Sequence, residues 1–153
     1  MSERLSTQIS KYFDRLWPLN RSITGEDVRK THKILKEIIP LNTFEIPTGF
    51  KVHDWNIPKE WNIKEGYILT PEGKKICDFK ENNLHVLNYS SSVNKIVTLK
   101  KLQKHLHSIK KLPNAIPYVT SYYEKNWGFC IKHNLRKKLK PGKYKVLIKS
   151  KLT

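Results

Sequence analysis

The spacing of apolar residues changes character at Pro40, and that change limits the fold more than any other feature of the chain. Before it, Leu5, Ile9, Phe13 and Leu16 recur at helical intervals with polar residues between them, which predicts an amphipathic helix over residues 4–16. Pro18 disfavours helical geometry at Trp17 and ends it. Residues 19–25 read as a polar loop. Thr24 and Asp27 then form a capping-box-like pair, and Val28, Thr31, Leu35 and Ile38 continue one face, so a second helix is expected over residues 25–39.

After Pro40 the pattern becomes short alternating runs broken by Pro and Gly, the signature of strands. Residues 43–46, 66–69, 75–79 and 84–89 are candidate strands. The second and third of these flank Thr70-Pro71-Glu72-Gly73, whose Pro and Gly suit a tight hairpin. Leu99, Leu102, Leu106 and Ile109 restore helical spacing behind the capping residue Thr98. Residues 119–123 and 128–131 are expected to pair as strands, residues 134–139 to form a short basic helix, and residues 144–148 to close with a strand. The fold class expected is therefore α+β: two N-terminal helices, then a strand-rich part holding one or two helices.

A chain of 153 residues can bury one full core, or one domain and part of another. No apolar run approaches the roughly 18 to 20 residues needed to cross a bilayer, and no secretion signal is visible at Met1-Ser2-Glu3-Arg4. Cys77 and Cys130 lack any Cys-x-x-Cys spacing and read as buried, reduced thiols, which points to the cytoplasm. The net charge of +17 is uneven: residues 1–94 hold 14 Lys and Arg against 12 Asp and Glu, and residues 95–153 hold 16 against Glu124 alone. Such a third attracts polyanions in general, but lysine is also the default solvated residue, so specific nucleic-acid binding is the weaker reading.

Local chemistry is sparse. His105 and His107, two apart on the expected helix, cannot converge on one ion, and His32, His53, His85 and His133 are scattered without a His-Glu-x-x-His. Ser90-Ser91-Ser92 lacks the Gly-x-Ser-x-Gly elbow, and the six glycines form no phosphate cradle. The aromatic residues Trp55, Trp61, Tyr122, Tyr123, Trp127 and Phe129 offer stacking faces, though core packing is the simpler use of them.

Several segments carry a family resemblance that runs in order through almost the whole chain. Tyr12-Phe13-Asp14-Arg15-Leu16-Trp17-Pro18-Leu19-Asn20-Arg21-Ser22-Ile23-Thr24-Gly25, Asp54-Trp55 with Pro58 and Trp61, Pro117-Tyr118-Val119-Thr120-Ser121-Tyr122-Tyr123, and Trp127-Gly128-Phe129-Cys130 resemble the start of a bacterial aminopeptidase-like family. The resemblance implies a longer parent with an α/β zinc-exopeptidase-like domain, interrupted early by a small strand-rich insertion and often followed by a winged-helix-like segment. Members often occur with polysaccharide or surface-glycan genes. The family's His, Asp and Glu zinc ligands lie beyond the insertion, so no catalytic or metal-binding residue carries over to this sequence.

On that plan residues 1–47 belong to the catalytic domain, 48–140 to the insertion, and 141–153 to a strand returning toward the missing part. The chain is then a structural N-terminal fragment of a zinc-dependent hydrolase, inactive alone, with the missing C-terminal portion as its partner and a peptide-like substrate for the parent. Asn20, Arg21, Ser22 and Thr24 are candidates for a cleft rim, with Arg21 as a carboxylate clamp; a plain helix-connecting loop is the alternative. Leu5, Ile9, Phe13 and Leu35 should then form an exposed apolar stripe. No membrane partner is expected, and self-association stays open. The rival function is a stand-alone basic module that binds nucleic acid or another polyanion.

Overall fold

The computed structural model describes residues 2–122 and 124–153, with side chains from residue 5 onward; Met1, and Tyr123 in the expected strand 119–123, lie outside the described residues. The fold is α+β, and the chain divides into two compact units, residues 1–61 with Thr153, and residues 62–152.

The first unit opens with α1 (Ser2–Leu16) and α2 (Glu26–Leu35). Both nitrogens of the Arg15 guanidinium fork reach Glu37 just beyond α2, each at 2.6 Å, which ties the two helices together. Leu5, Ile9 and Phe13 are 59%, 60% and 67% exposed, as the stripe requires, but Leu35 is half-buried and does not extend it. The second helix is shorter than its periodicity suggests. Pro40 denies helical geometry to Ile39, and residues 36–39 unwind into turns. Its N-cap is Gly25, at φ 129°, without a side-chain cap bond. Asp27 does not close a capping box; its carboxylate accepts from the Asn20 N–H at 3.0 Å and pairs with Lys30 at 2.9 Å.

Residues 43–46 are not a strand. They run as irregular chain with Phe44 88% exposed, because no neighbouring strand satisfies their backbone. A small hairpin follows, β1 (Lys51–Val52) against β2 (Trp55–Asn56), turning at His53 with φ 53°. Glu60 and Thr153 exchange both backbone hydrogen bonds, at 2.8 and 3.0 Å.

The second unit is built on a four-stranded sheet in the order β4 (Lys75–Ile76), β3 (Trp61–Leu69), β8 (Lys143–Leu152), β5 (Val93–Thr98). The expected hairpin is present between β3 and β4, with Gly73 at φ 79° supplying the left-handed turn residue. In β8, Tyr144, Val146 and Ile148 point into the core while Lys143, Lys145 and Lys149 face out, a period-2 pattern interrupted at Leu147, which is buried on the outward register. Ile68, Leu87, Leu102, Leu106, Phe129 and Ile131 are among the other residues that fill the core.

Three expectations fail in this unit. The helix behind Thr98 is only α3 (Leu99–Leu102), plus one 3₁₀ turn to His105; Leu106–His107 leaves it as β6 and pairs in parallel with β7 (Phe129–Cys130). Burying Leu106 against that partner outweighs continuing a lysine-rich helix. Among the described residues, 119–122 therefore do not pair with 128–131, and Thr120 instead bridges Asn88. Residues 84–89 likewise begin as a 3₁₀ turn capped by Asn82 rather than as a strand. The short basic helix is present as α4 (His133–Lys137). Among the described residues no helix is long and apolar enough to cross a membrane.

Candidate functional site

In the first unit a hollow of about 440 Å³ opens between α2 and the irregular segment that follows it. Its charged wall is organised by Arg29. The guanidinium meets Glu60 fork to fork, through Nη1 at 3.0 Å and Nη2, while Nε donates to Glu45 at 2.8 Å and Glu26 lies 3.7 Å away. These bonds push the guanidinium pKa above its ordinary value, the Glu60 contact being the largest cause. His32, Lys33 and Lys36 stand on the same wall, with Lys36 donating to Thr43 at 3.1 Å.

The four rim candidates are not equivalent. Thr24 lines the hollow and is half-buried. Asn20 is held through its backbone by Asp27, and Ser22 is buried with a side-chain oxygen that has no partner. Arg21 is exposed. Arg29, Glu45 and Glu60 carried no local signal in the sequence, since they are separated by long stretches of chain. The available hint was the scarcity of Arg, only 5 residues beside 25 Lys, because a planar fork is what bidentate carboxylate contact needs.

The second unit gathers histidines. The His105 ring stacks on Trp127 with centroids 3.7 Å apart, its Nδ1–H donates to the Trp127 carbonyl at 2.9 Å, and Lys95 Nζ lies 4.6 Å from the indole centroid. His107, on β6 rather than on a helix, buries Nε2 without a hydrogen-bond partner, and desolvation, then Arg136 and His105, hold its pKa below the usual value. Ser108 is hydrogen-bonded to His133 at 3.0 Å and accepts from Arg136 at 3.2 Å. His85 donates to the Cys130 carbonyl at 2.9 Å. Cys77 and Cys130 are free and buried, and burial pushes both thiols up to about 12.

The orphaned His107 nitrogen is the natural place to test for zinc, and the test fails. Among the described residues no three His, Cys, Asp or Glu side chains converge, and the nearby His105 Nδ1 is committed to a carbonyl. The described residues do not fit a zinc ion.

The family described as "Domain of unknown function (DUF2172)" matches residues 60–151. A Clostridium acetobutylicum protein, provisionally named a polysaccharide biosynthesis protein with aminopeptidase-like domain, is 46% identical over 151 residues, covering 99% of this chain. A crystal structure from Clostridium acetobutylicum, provisionally called a peptidase, is similar at a TM-score of 0.93 and 46% identity, over 99% of this chain and 36% of that one. The chain spans 35% of the length of the relative it matches. More than half of its residues fall within the matched family, and the chain belongs to the DUF2172 family.

Proposed function

We propose that the chain is an N-terminal portion of an aminopeptidase-like hydrolase acting in polysaccharide biosynthesis, and that it supplies scaffold and cleft rim rather than the metal centre. The observation that carries this reading is the lopsided match: nearly all of this chain aligns with a third of a relative whose name includes an aminopeptidase-like domain. In the proposal any zinc, and the carboxylate and imidazole ligands for it, belong to the part of the parent without a counterpart here. Asn20, Arg21, Ser22 and Thr24 stay the rim candidates, with Arg29 as the group that fixes the shape of the adjoining hollow. The cytoplasmic setting is supported by two buried thiols left unpaired.

The strand-rich part is, in this proposal, an insertion. The exchange of backbone bonds between Glu60 and Thr153 supports it, because residues 61–152 leave and return at one point, as an inserted unit must. The limits that pairing favours, 62 and 152, lie later in the chain than the 48 and 140 read from the sequence, and they agree with the extent of the second compact unit.

The chain purified alone should neither keep stoichiometric Zn²⁺ after dialysis nor release amino acids from peptides. Mixing it with a polypeptide corresponding to the remaining part of the Clostridium relative should give metal retention and hydrolysis. Unaided hydrolysis by the chain would overturn the proposal.

A further inference from the structure

The positive charge of the chain is concentrated in one unit. Residues 1–61 carry 10 Lys and Arg against 8 Asp and Glu, whereas residues 62–152 carry 20 against 5. Among the described residues of the second unit, only Lys75 and Lys149 make ion pairs, with Asp78 at 3.3 Å and Glu65 at 2.9 Å. A surface that needs only solvation intersperses both signs, and massing one sign costs the compact state self-repulsion.

The fold concentrates this charge further. Arg136 in α4 donates from Nε to the Gln103 side-chain oxygen at 2.7 Å and from Nη2 to the Gln103 carbonyl at 3.0 Å. The Leu99 N–H donates to the Gly142 carbonyl at 3.1 Å. These bonds seat α3 and its 3₁₀ extension beside α4 and the start of β8. Lys101, Lys104, Lys137, Lys138, Lys140 and Lys143, all exposed, consequently gather at one end of the unit, with Glu72 the carboxylate that lies within electrostatic reach of Lys140. Lys145 continues the row along the outer side of β8, about 7 Å from Lys143 at strand spacing.

We propose that this lysine-lined end binds a linear acidic polysaccharide. Two features favour that partner over nucleic acid. Single-stranded nucleic acid stacks successive bases on several free aromatic faces, whereas Trp127, the one indole of the unit, is already engaged by His105 and Lys95, and among the described residues of the unit Tyr118 is the one aromatic ring that is largely exposed. Forked recognition of phosphates and base edges uses guanidinium groups, and Arg136, the one arginine of the unit, is spent on Gln103 and Ser108. What remains is lysine ammonium, a compact point charge on a flexible stem, which suits carboxylates spaced along a sugar chain. The choice of a polysaccharide rests on the biosynthetic role proposed above; the test scores binding without any hydrolysis, so failure of the hydrolase reading leaves its outcome unchanged.

The test is retention of the full chain on immobilised polygalacturonate, with free polygalacturonate, neutral dextran, and single-stranded and duplex oligonucleotides as competitors. Retention should hold at about 50 mM salt and vanish by about 200 mM, as counterion release demands. Free polygalacturonate should compete at least about tenfold better than either oligonucleotide at equal charge, and dextran should not compete. Replacing the six gathered lysines by Gln should weaken retention about tenfold or more, replacing them by Arg should preserve it, and Lys51→Gln with Lys59→Gln should leave it unchanged. Better competition by an oligonucleotide, equal loss in the Lys51 and Lys59 variant, or no retention at low salt would each overturn the proposal.

Discussion

Arg29 holds Glu60 by both terminal nitrogens while its Nε holds Glu45, so one side chain of α2 fastens two later stretches of the first unit. Because Arg29 is 38% exposed, solvent screens the pairs, and Arg29→Met should cost only about 1 kcal/mol in urea unfolding. Arg29→Lys should lose most of the same amount, since an ammonium cannot reproduce the fork. An unchanged midpoint in both variants would show that the pairs contribute nothing.

His107 gives the second unit a pH dependence. Its folded pKa lies below the ordinary imidazole value of about 6.5, so the unfolded chain takes up the proton first. Its contribution is complete above that value and is lost as pH falls through the depressed folded pKa. Urea midpoints measured between pH 7.5 and 5 should therefore decline on the acid side, and His107→Gln should flatten that decline. A parallel decline in the variant would assign the effect to other groups.

Gly128 sits where no side chain fits. A Cβ there would stand 2.9 Å from the His105 carbonyl oxygen and 3.2 Å from His107 Nε2, and the first of these is backbone that cannot step aside cheaply. Gly128→Ala should cost about 2 kcal/mol by overpacking and should disturb the His105–Trp127 stack, visible as a change in indole fluorescence. Full stability in the variant would mean that the β6 segment gives way freely.

The apolar side of α1 predicts the opposite behaviour. Phe13 is 67% exposed, so Phe13→Ser should change stability by less than about 0.5 kcal/mol while lowering the binding of a hydrophobic dye. A large loss of stability would show that Phe13 is covered in solution.

Elements whose signal is local were legible in the sequence. The α1 periodicity, the Thr98 cap, the Gly73 turn and the alternation in β8 each depend on residues within a few positions, and each is present, the last broken at the buried Leu147. Elements decided by distant partners were not. β5 presents only Val97 to the core, its remaining positions being exposed or half-buried along an edge, so it shows no clean alternation. Leu106 has perfect helical spacing yet pairs with Phe129, which no window of sequence encodes. The same holds for the site: Thr24 was found through its loop, whereas Arg29 acquires meaning only when Glu45 and Glu60 are folded around it.

The parallel rungs Leu106–Phe129 and His107–Cys130 have one more consequence. They stitch together the two ends of everything between them, so that excursion can grow, shrink or be nicked while its anchor points stay fixed. Lengthening a tethered loop costs only in proportion to the logarithm of its size. Within it the exposed Lys110, Lys111 and Leu112 are free to be redecorated, whereas Ser108, Thr120, Trp127 and Gly128 are held by their contacts with the floor beneath.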